Sequence, residues 1–99
     1  MKFKTGWEIE TSATSYQGTI DISYSKIIEI LGPPCCTGEM GVDKSQADWF
    51  IEGEIDGENV VANLYDWKQY DTPVEDITHW HIGGLNLKAV ELIYKLLKY

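Results

Sequence analysis

Apolar and polar residues alternate along two stretches near the start of the chain. In residues 4–11, Trp7 and Ile9 fall on one side of an extended backbone and acidic residues fall on the other. Residues 17–22 alternate in the same way through Ile20 and Ile22. A period of two is typical of a half-buried strand. The pattern therefore predicts two strands, joined by the small polar residues 11–15.

The period then changes to that of a helix. Ser23 is a favourable N-cap residue, and Gly32 suits the left-handed position just past a helix C-terminus. The prolines at positions 33 and 34 prevent the helix from continuing. We therefore predict a short helix that ends at Gly32, followed by a long loop over residues 33–46. The apolar stripe of this helix has i, i+3, i+4, i+7 spacing and consists of Tyr24, Ile27, Ile28 and Leu31.

Residues 48–67 carry the signal of a β-hairpin. The dipeptide Asp56-Gly57 is typical of a two-residue turn between paired strands. The face of the hairpin that includes Ile55 is mostly apolar and is predicted to lie in the core. The other face carries Phe50 and Tyr65 among polar residues, and Trp67 farther on, so we expect something to cover it. The turn predicts the pairs Ile55 with Glu58, Gly53 with Val60, Ile51 with Ala62, and Trp49 with Leu64.

The last part of the chain predicts one more strand and a helix. Residues 77–82 alternate, with Trp80 on one side and His79 and His81 on the other, and Gly83-Gly84 is expected to end the strand. Asn86 is a suitable cap for a helix over residues 87–98. The predicted order is ββ-α-ββ-β-α, which is a single α+β domain over residues 1–99, an antiparallel sheet with two helices packed on it. The stripe of the last helix is Val90, Ile93, Leu96 and Leu97.

Composition adds that the chain folds and that it is unusually aromatic. Hydrophobic residues make up 43% of the 99 positions, which excludes a disordered chain. Four Trp and six Tyr are many for this length. Aromatic side chains are enriched at interfaces and on surfaces where flat rings stack. The composition therefore favours self-association or a ligand with a planar ring.

The net charge limits the kinds of partner that the chain is expected to bind. The net charge is −8, and all eight basic residues are Lys. Binding to duplex nucleic acid needs a basic surface that releases counterions, so we do not expect that partner. Residues 39–76 contain eleven Asp or Glu but only Lys44 and Lys68. This acidity promotes solubility. It also leaves open an alternative function, an acidic protein that imitates DNA and inhibits a host nucleic-acid enzyme.

The cysteines and the apolar segments indicate a compartment. Cys35 and Cys36 are adjacent, which does not form a disulfide framework, so a reducing cytosol is expected. The start of the chain has no apolar signal region, and no segment approaches the roughly 20 apolar residues that span a bilayer. We expect an unsecreted protein with no membrane partner.

The residues that could bind a metal or act in catalysis also have structural explanations. Cys35, Cys36, His79 and His81 are ligand types that zinc prefers, but adjacent cysteines lack the spacing that lets two thiolates share one ion. A histidine beside Asp76 could form a base and its orienting acid. Such a short motif is more often structural, and the chain has no nucleophile elbow, Walker A or HExxH motif. The sequence predicts no metal, no cofactor and no catalytic residue.

A site for a small anionic ligand is the remaining candidate. Trp67 and Lys68 end the hairpin, and Lys44 lies in the long loop. An aromatic face can stack on a base, and lysine can bind a phosphate. Gly83-Gly84, just before a helix, could offer backbone N–H groups to a phosphate. The residues alone leave open the alternative that the tryptophans are core and the glycines form a turn.

Three motifs resemble those of a family of small phage-encoded proteins. The family pattern runs D-K-x-x-x-x-W, then Y-D/N-W/Y-K, then T-x-W-x-I-G-G. The matching segments are Asp43-Lys44 with Trp49, Tyr65-Asp66-Trp67-Lys68, and Thr78-His79-Trp80-His81-Ile82-Gly83-Gly84. The helix that ends in Leu-Gly-Pro is also similar. The resemblance covers residues 17–95, whereas the two cysteines are not part of the pattern.

The resemblance implies a function. The family overlaps the anti-CBASS nucleotide sponges, homo-oligomers that sequester a cyclic dinucleotide such as 3′3′-cyclic GMP–AMP in the cytoplasm of an infected bacterium, without hydrolysing it. By this resemblance the ligand lies in a pocket between subunits. Trp49 lies on the core face of the hairpin, so packing is expected for it. The residues implied to bind ligand are Lys44, Tyr65, Trp67, Lys68, Trp80 and His81, to which the phosphate argument adds Gly83 and Gly84.

Overall fold

The structure is a computed structural model that describes residues 3–6, 9, 14–34, 36–37, 47–67 and 71–99. Neither α-helix in this part of the chain is long and apolar enough to cross a membrane. A short 3-10 helix, Val74–Asp76, precedes the last strand. In chain order the elements are β1 (Phe3–Thr5), β2 (Ser15–Asp21), α1 (Tyr24–Leu31), β3 (Cys36–Thr37), β4 (Ala47–Ile55), β5 (Glu58–Tyr65), β6 (His79–Gly84) and α2 (Lys88–Leu96).

The strands form one antiparallel sheet. Its order is β1-β4-β5-β6-β2, and β3 pairs with β4 on the same side as β1. This architecture confirms the predicted α+β class, and the order of elements agrees with the prediction apart from the two-residue β3. At one edge of the sheet, the Tyr94 hydroxyl of α2 donates to the Thr19 carbonyl of β2 at 2.8 Å.

The hairpin of β4 and β5 has the predicted turn and register. Asp56 and Gly57 have positive φ angles of 52° and 79°. Two consecutive positive φ angles match the right-handed twist of the flanking strands, which is why Asp-Gly is favoured there. All four predicted pairs are present, from Ile55 with Glu58 at the turn to Trp49 with Leu64 near the other end.

The core lies between the sheet and the helices, and two indole rings form its centre. Trp49 of β4 and Trp80 of β6 are both 0% exposed, with ring centroids 5.4 Å apart in an edge-on arrangement. Each ring has a polar N–H that must be satisfied in the core. The Nε1 of Trp49 donates to the Gly32 carbonyl at 3.0 Å, and that of Trp80 donates to the Ile22 carbonyl at 2.9 Å. The packing role expected for Trp49 is confirmed.

The two carbonyls flank α1, so the indoles hold both ends of this helix. At its start, Ser23 Oγ accepts from the Lys26 amide at 3.2 Å. At its end, Gly32 has a φ of 83° and donates to the Ile28 carbonyl at 2.9 Å. The predicted N-cap and C-terminal glycine of α1 are therefore confirmed.

The last helix is shorter than predicted. It spans Lys88–Leu96 rather than residues 87–98, and Asn86 Oδ1 accepts from the Lys88 amide at 2.9 Å. Val90 is only half-buried, because it lies at the side of the helix, next to Gly18 of β2. The buried residues of α2 are Ala89, Leu92, Ile93 and Leu96, and Leu97 is buried just beyond the end of the helix.

Three segments of the chain differ from the prediction: the first strand, the loop before the hairpin, and the last strand. The first strand is Phe3–Thr5, and Ile9 is buried outside any strand, whereas positions 7, 8 and 10–13 lie outside the described residues. Of the predicted loop 33–46, residues 36–37 form β3, and 35 and 38–46 lie outside the described residues. The last strand begins at His79 and runs through Gly83 and Gly84, which were predicted to end it.

Close packing explains the two glycines in β6. A Cβ on Gly84 would overlap the Cβ of Ala89 in α2, and a Cβ on Gly83 would overlap the side chain of Asn63. Glycine inside a strand often marks such a close approach rather than a turn. The absence of a side chain at Gly84 is what lets α2 pack directly on the sheet.

We predict that Gly84→Ala destabilises the protein by about 1–3 kcal/mol, because helix and strand must move apart. Ala89→Gly removes the opposing methyl at a helix-propensity cost of about 1 kcal/mol. The double variant should therefore lose less stability than the sum of the two single variants. Urea unfolding of the four proteins measures this, and strictly additive losses would contradict the proposed overlap.

Candidate ligand site on the open face of the sheet

The sheet has one face covered by helices and one face that no helix of the described residues covers. Side chains alternate along a strand, so the burial of Trp49, Leu64 and Trp80 against the helices turns their neighbours to the other side. We call this other side the open face. It carries the register pairs Asp48 with Tyr65, Tyr65 with His81, and Thr19 with His81.

Four aromatic rings line a shallow hollow on the open face. The hollow has a volume of about 280 Å³ and is lined by Tyr16, Tyr65, Trp67 and His81. We call it the aromatic hollow. Tyr65 and His81 are cross-strand neighbours on β5 and β6, Tyr16 comes from β2, and Trp67 follows the end of β5. Residues distant in sequence thus meet at one place.

The rings approach one another at several angles. The ring of His81 lies 5.0 Å from Tyr16 at an interplanar angle of 52°, and 5.6 Å from Tyr65 at 61°. Trp67 and His81 are nearly parallel, at 22° and 6.2 Å between centroids. Tyr65 meets Trp67 edge-on at 6.1 Å. His81 is therefore the common neighbour of the other three rings.

A bulge in β2 positions Tyr16. The register between β2 and β6 shifts between Tyr16 and Gly18, so Tyr16 lies opposite Gly83 while Gly18 lies opposite Ile82. The intervening Gln17 donates from Nε2 to the Gly84 carbonyl at 3.0 Å. A bulge commonly re-aims a side chain at the edge of a sheet. Here it leaves Tyr16 beside His81.

A buried carboxylate positions the segment that carries Trp67. Asp66 is 0% exposed, and its Oδ1 accepts from the Ala47 amide at the start of β4, at 2.9 Å. This bond fixes the chain just beyond β5. Trp67 is 40% exposed and Tyr16 is 58% exposed, so both present ring surface to solvent at the mouth of the hollow.

The electrostatics of the hollow favour a neutral imidazole. Burial lowers the pKa of His81, and the nearby His79 lowers it further. Burial raises the pKa of Tyr65, and the charge of Asp48 opposite it and then Tyr16 add to that shift. At neutral pH the aromatic hollow is therefore lined by uncharged rings, with a carboxylate nearby.

His79 lies outside the hollow, next to it on β6. Its Nδ1 is 2.6 Å from Asp21 Oδ1, and both side chains are more than half exposed. Its ring meets that of His81 edge-on at 5.8 Å. The acid that contacts His79 is Asp21, whereas the sequence suggested Asp76 as the acid beside a histidine.

The structure brings together three of the residues that the sequence pointed to, namely Tyr65, Trp67 and His81. Trp80 requires a correction: it lies on the helix-covered side of β6, fully buried, and its role is in the core. Lys44 and Lys68 lie outside the described residues.

Gly83 and Gly84 also require a correction. They pair with β2 and β5 inside the sheet, so they do not form the predicted phosphate-binding turn before a helix. Tyr16 was missed because the predicted strand began one residue later, at position 17. An alternating pattern does not reveal a bulge, and the bulge is what directs Tyr16 toward His81.

Comparison of the chain with protein-family models, curated proteins and solved structures finds no match. The resemblance to the phage-encoded family therefore stays a prediction. Within the part of the chain that the structure describes, no three His, Cys, Asp or Glu side chains are grouped so that they could hold a metal ion. The aromatic hollow is the feature from which a function can be argued.

We predict that His81 titrates below the value of about 6.5 that is ordinary for histidine. Because the unfolded chain takes up this proton first, the free energy of unfolding should fall as the pH drops from 6.5 through the lowered pKa of His81. NMR titration of the two histidines gives the first result, and unfolding of wild type and His81→Gln gives the second. A His81 pKa at or above the ordinary value would contradict the burial argument.

We also predict that Trp80→Phe costs about 1–3 kcal/mol of stability, because it removes the bond to the Ile22 carbonyl and leaves part of a cavity. The variant should still bind any ligand of the aromatic hollow, since its side chain faces the helices. Denaturant unfolding and a binding titration of the folded variant test both statements. Loss of binding in a fully folded Trp80→Phe would return Trp80 to the site.

Proposed function

We propose that this protein binds a cyclic nucleotide by stacking a base in the aromatic hollow, and sequesters it as a homo-oligomer without hydrolysing it. The observation that carries the proposal is the meeting of Tyr16, Tyr65, Trp67 and His81 around one hollow on the open face. In this proposal the protein acts in the cytoplasm of an infected bacterium, as the resemblance to phage-encoded sponges implies.

The chemistry of the rings supports a base as the ligand. Stacking of a base on an aromatic side chain contributes about 1–3 kcal/mol and tolerates different bases. The half-exposed Trp67 and Tyr16 offer such surfaces without first leaving the core. The Tyr65 hydroxyl and the His81 imidazole can also form hydrogen bonds with the edge of a base.

The size of the hollow supports self-association. Ligand pockets usually measure roughly 300–1,000 Å³. At about 280 Å³, the hollow is suited to one base and not to a whole cyclic dinucleotide. A second copy of the chain, related by a two-fold axis, would supply an equivalent hollow for the second base. The exposed rings of Tyr16 and Trp67 are also the kind of surface that interfaces cover.

The support for phosphate binding comes from the sequence. Lys68 follows Trp67 directly, and Lys44 belongs to the first of the three motifs. Lysine binds phosphate as a point charge. Enclosure between two rigid subunits would slow the dissociation of the nucleotide, and slow dissociation is what sequestration requires.

A second candidate is the acidic inhibitor of a host nucleic-acid enzyme. It is favoured by the net charge of −8 and by the carboxylates of Asp21, Asp48 and Glu52 on the open face. It predicts salt-sensitive binding to a basic host protein and no small-molecule ligand. The experiment below separates the two candidates.

We predict that at least one cyclic di- or trinucleotide raises the melting temperature of the protein. A ligand at about 100 times its Kd adds about 2.7 kcal/mol to the free energy of unfolding. A panel that includes 3′3′-cyclic GMP–AMP should be screened, with size-exclusion chromatography of free and loaded protein. The nucleotide should be recovered intact after the complex is heated. If no cyclic nucleotide shifts the melting temperature, the proposal is wrong.

Matched variants locate the site. Tyr16 and Tyr99 are similarly exposed, at 58% and 60%, but only Tyr16 lines the aromatic hollow. We therefore expect Tyr16→Ala and Trp67→Ala to weaken binding roughly fivefold to 150-fold, which corresponds to about 1–3 kcal/mol of stacking. Tyr99→Ala should bind as the wild type does. Equal losses at Tyr16 and Tyr99 would mean that the ligand binds elsewhere.

A further inference from the structure

We propose that the aromatic hollow prefers a positively charged ligand group of about the size of one base, such as an N-alkylated heteroaromatic ring or a quaternary ammonium. The preference is over a neutral group of the same shape. This inference goes beyond the proposed function, because the bases of a cyclic nucleotide are neutral at pH 7, and it names a further class of group that the same hollow would take. It holds equally for a ligand without phosphate, so the two can be tested apart.

The rings that line the hollow do not form a single flat platform. Tyr16 and Tyr65 are inclined to His81 at 52° and 61°, and Tyr65 meets Trp67 at 78°, whereas Trp67 and His81 are nearly parallel. A group in the hollow can therefore contact more than one ring. The faces of aromatic rings carry partial negative charge, so a group that lies against them is stabilised if it is cationic.

Carboxylates on the open face add to this potential. Asp48 lies directly opposite Tyr65, is only 7% exposed, and is close enough to raise the pKa of the Tyr65 hydroxyl. Asp21 lies on β2 and contacts His79, at the neighbouring position on the face. The charge of the nearly buried Asp48 is screened by solvent less than an exposed charge is, and it favours a cation nearby.

The positive charges on the described part of this face do not oppose a cation in the hollow. Among the described residues, the lysine of the open face is Lys4, and its Nζ lies 2.8 Å from Glu52 near the opposite edge of the sheet. His81, which lines the hollow itself, has a lowered pKa because of burial and is uncharged at neutral pH. The described residues that line the hollow therefore present π faces, and none of them carries an ammonium or imidazolium group at neutral pH.

The volume limits the size of the cation. A hollow of about 280 Å³ accepts a single ring or a trimethylammonium group. Two pairs of probes compare charge at nearly constant shape: 1-methylnicotinamide with nicotinamide, and choline with 3,3-dimethylbutan-1-ol. Each cation should bind the wild-type protein about tenfold more tightly than its neutral partner, which converts to about 1.4 kcal/mol. NMR titration and calorimetry at pH 7.5 measure both affinities.

A variant distinguishes the π contribution from simple apolar contact. Trp67→Leu keeps an apolar side chain at a position that is already 40% exposed, so the fold should tolerate it. We expect it to reduce the tenfold preference for the cation to about threefold or less. Tyr99→Leu changes an exposed ring outside the hollow, at 60% exposure against 40% for Trp67, and should leave the preference unchanged. Chemical shifts of the His81 ring should respond to the cation in wild type.

Three results would overturn the inference: equal affinities for the charged and neutral probes, no measurable binding of either cation, or a preference that survives Trp67→Leu. The proposed function is decided separately. If cyclic nucleotides bind but the cations bind no more tightly than their neutral partners, the proposed function stands and the inference about charge is wrong. If the cations bind and no cyclic nucleotide does, the inference stands and the proposed function is wrong.

Discussion

The packing of two indoles in the core fixes the position of α1 on the sheet. Trp49 and Trp80 meet edge-on beneath α1, and each must place its N–H on a carbonyl because water is excluded there. The carbonyls available are those of Ile22 and Gly32, at the two ends of α1. The helix is therefore held over the same side of the sheet as the two indoles, and α2 packs on that side as well.

The position of the candidate site follows from this packing of the core. Once Trp80 and Leu64 occupy the core, the strict alternation of a strand turns His81 and Tyr65 outward as cross-strand neighbours. Trp67 lies two residues after Tyr65 and therefore falls on the same side of the chain. The buried Asp66 between them holds that segment against β4. The aromatic hollow is thus built on rigid strands whose other side is the core, which pre-organises its rings before any ligand arrives.

Local signals predicted most of the fold but only part of the site. The turn dipeptide fixes the hairpin register, and Ser23 and Gly32 delimit α1, because each acts through its own backbone geometry. Tyr65, Trp67 and His81 were predicted from motifs. Trp80 was wrongly included among the ligand-binding residues, although alternation alone places its side chain on the other face of the strand from His81. The close approach of Ala89 to Gly84 and the bulge at Tyr16 depend on contacts distant in sequence, which no local pattern contains.

The Tyr94 hydroxyl protects an edge of the sheet. It occupies a main-chain acceptor of β2, which is the outer strand on its side of the sheet among the described residues. An outer strand with vacant acceptors invites a foreign strand to join it, and that is a common route to fibrils. By engaging the Thr19 carbonyl internally, α2 makes such sideways growth less favourable. The rim of the sheet at β2 is thereby less open to strand addition than its backbone alone would make it.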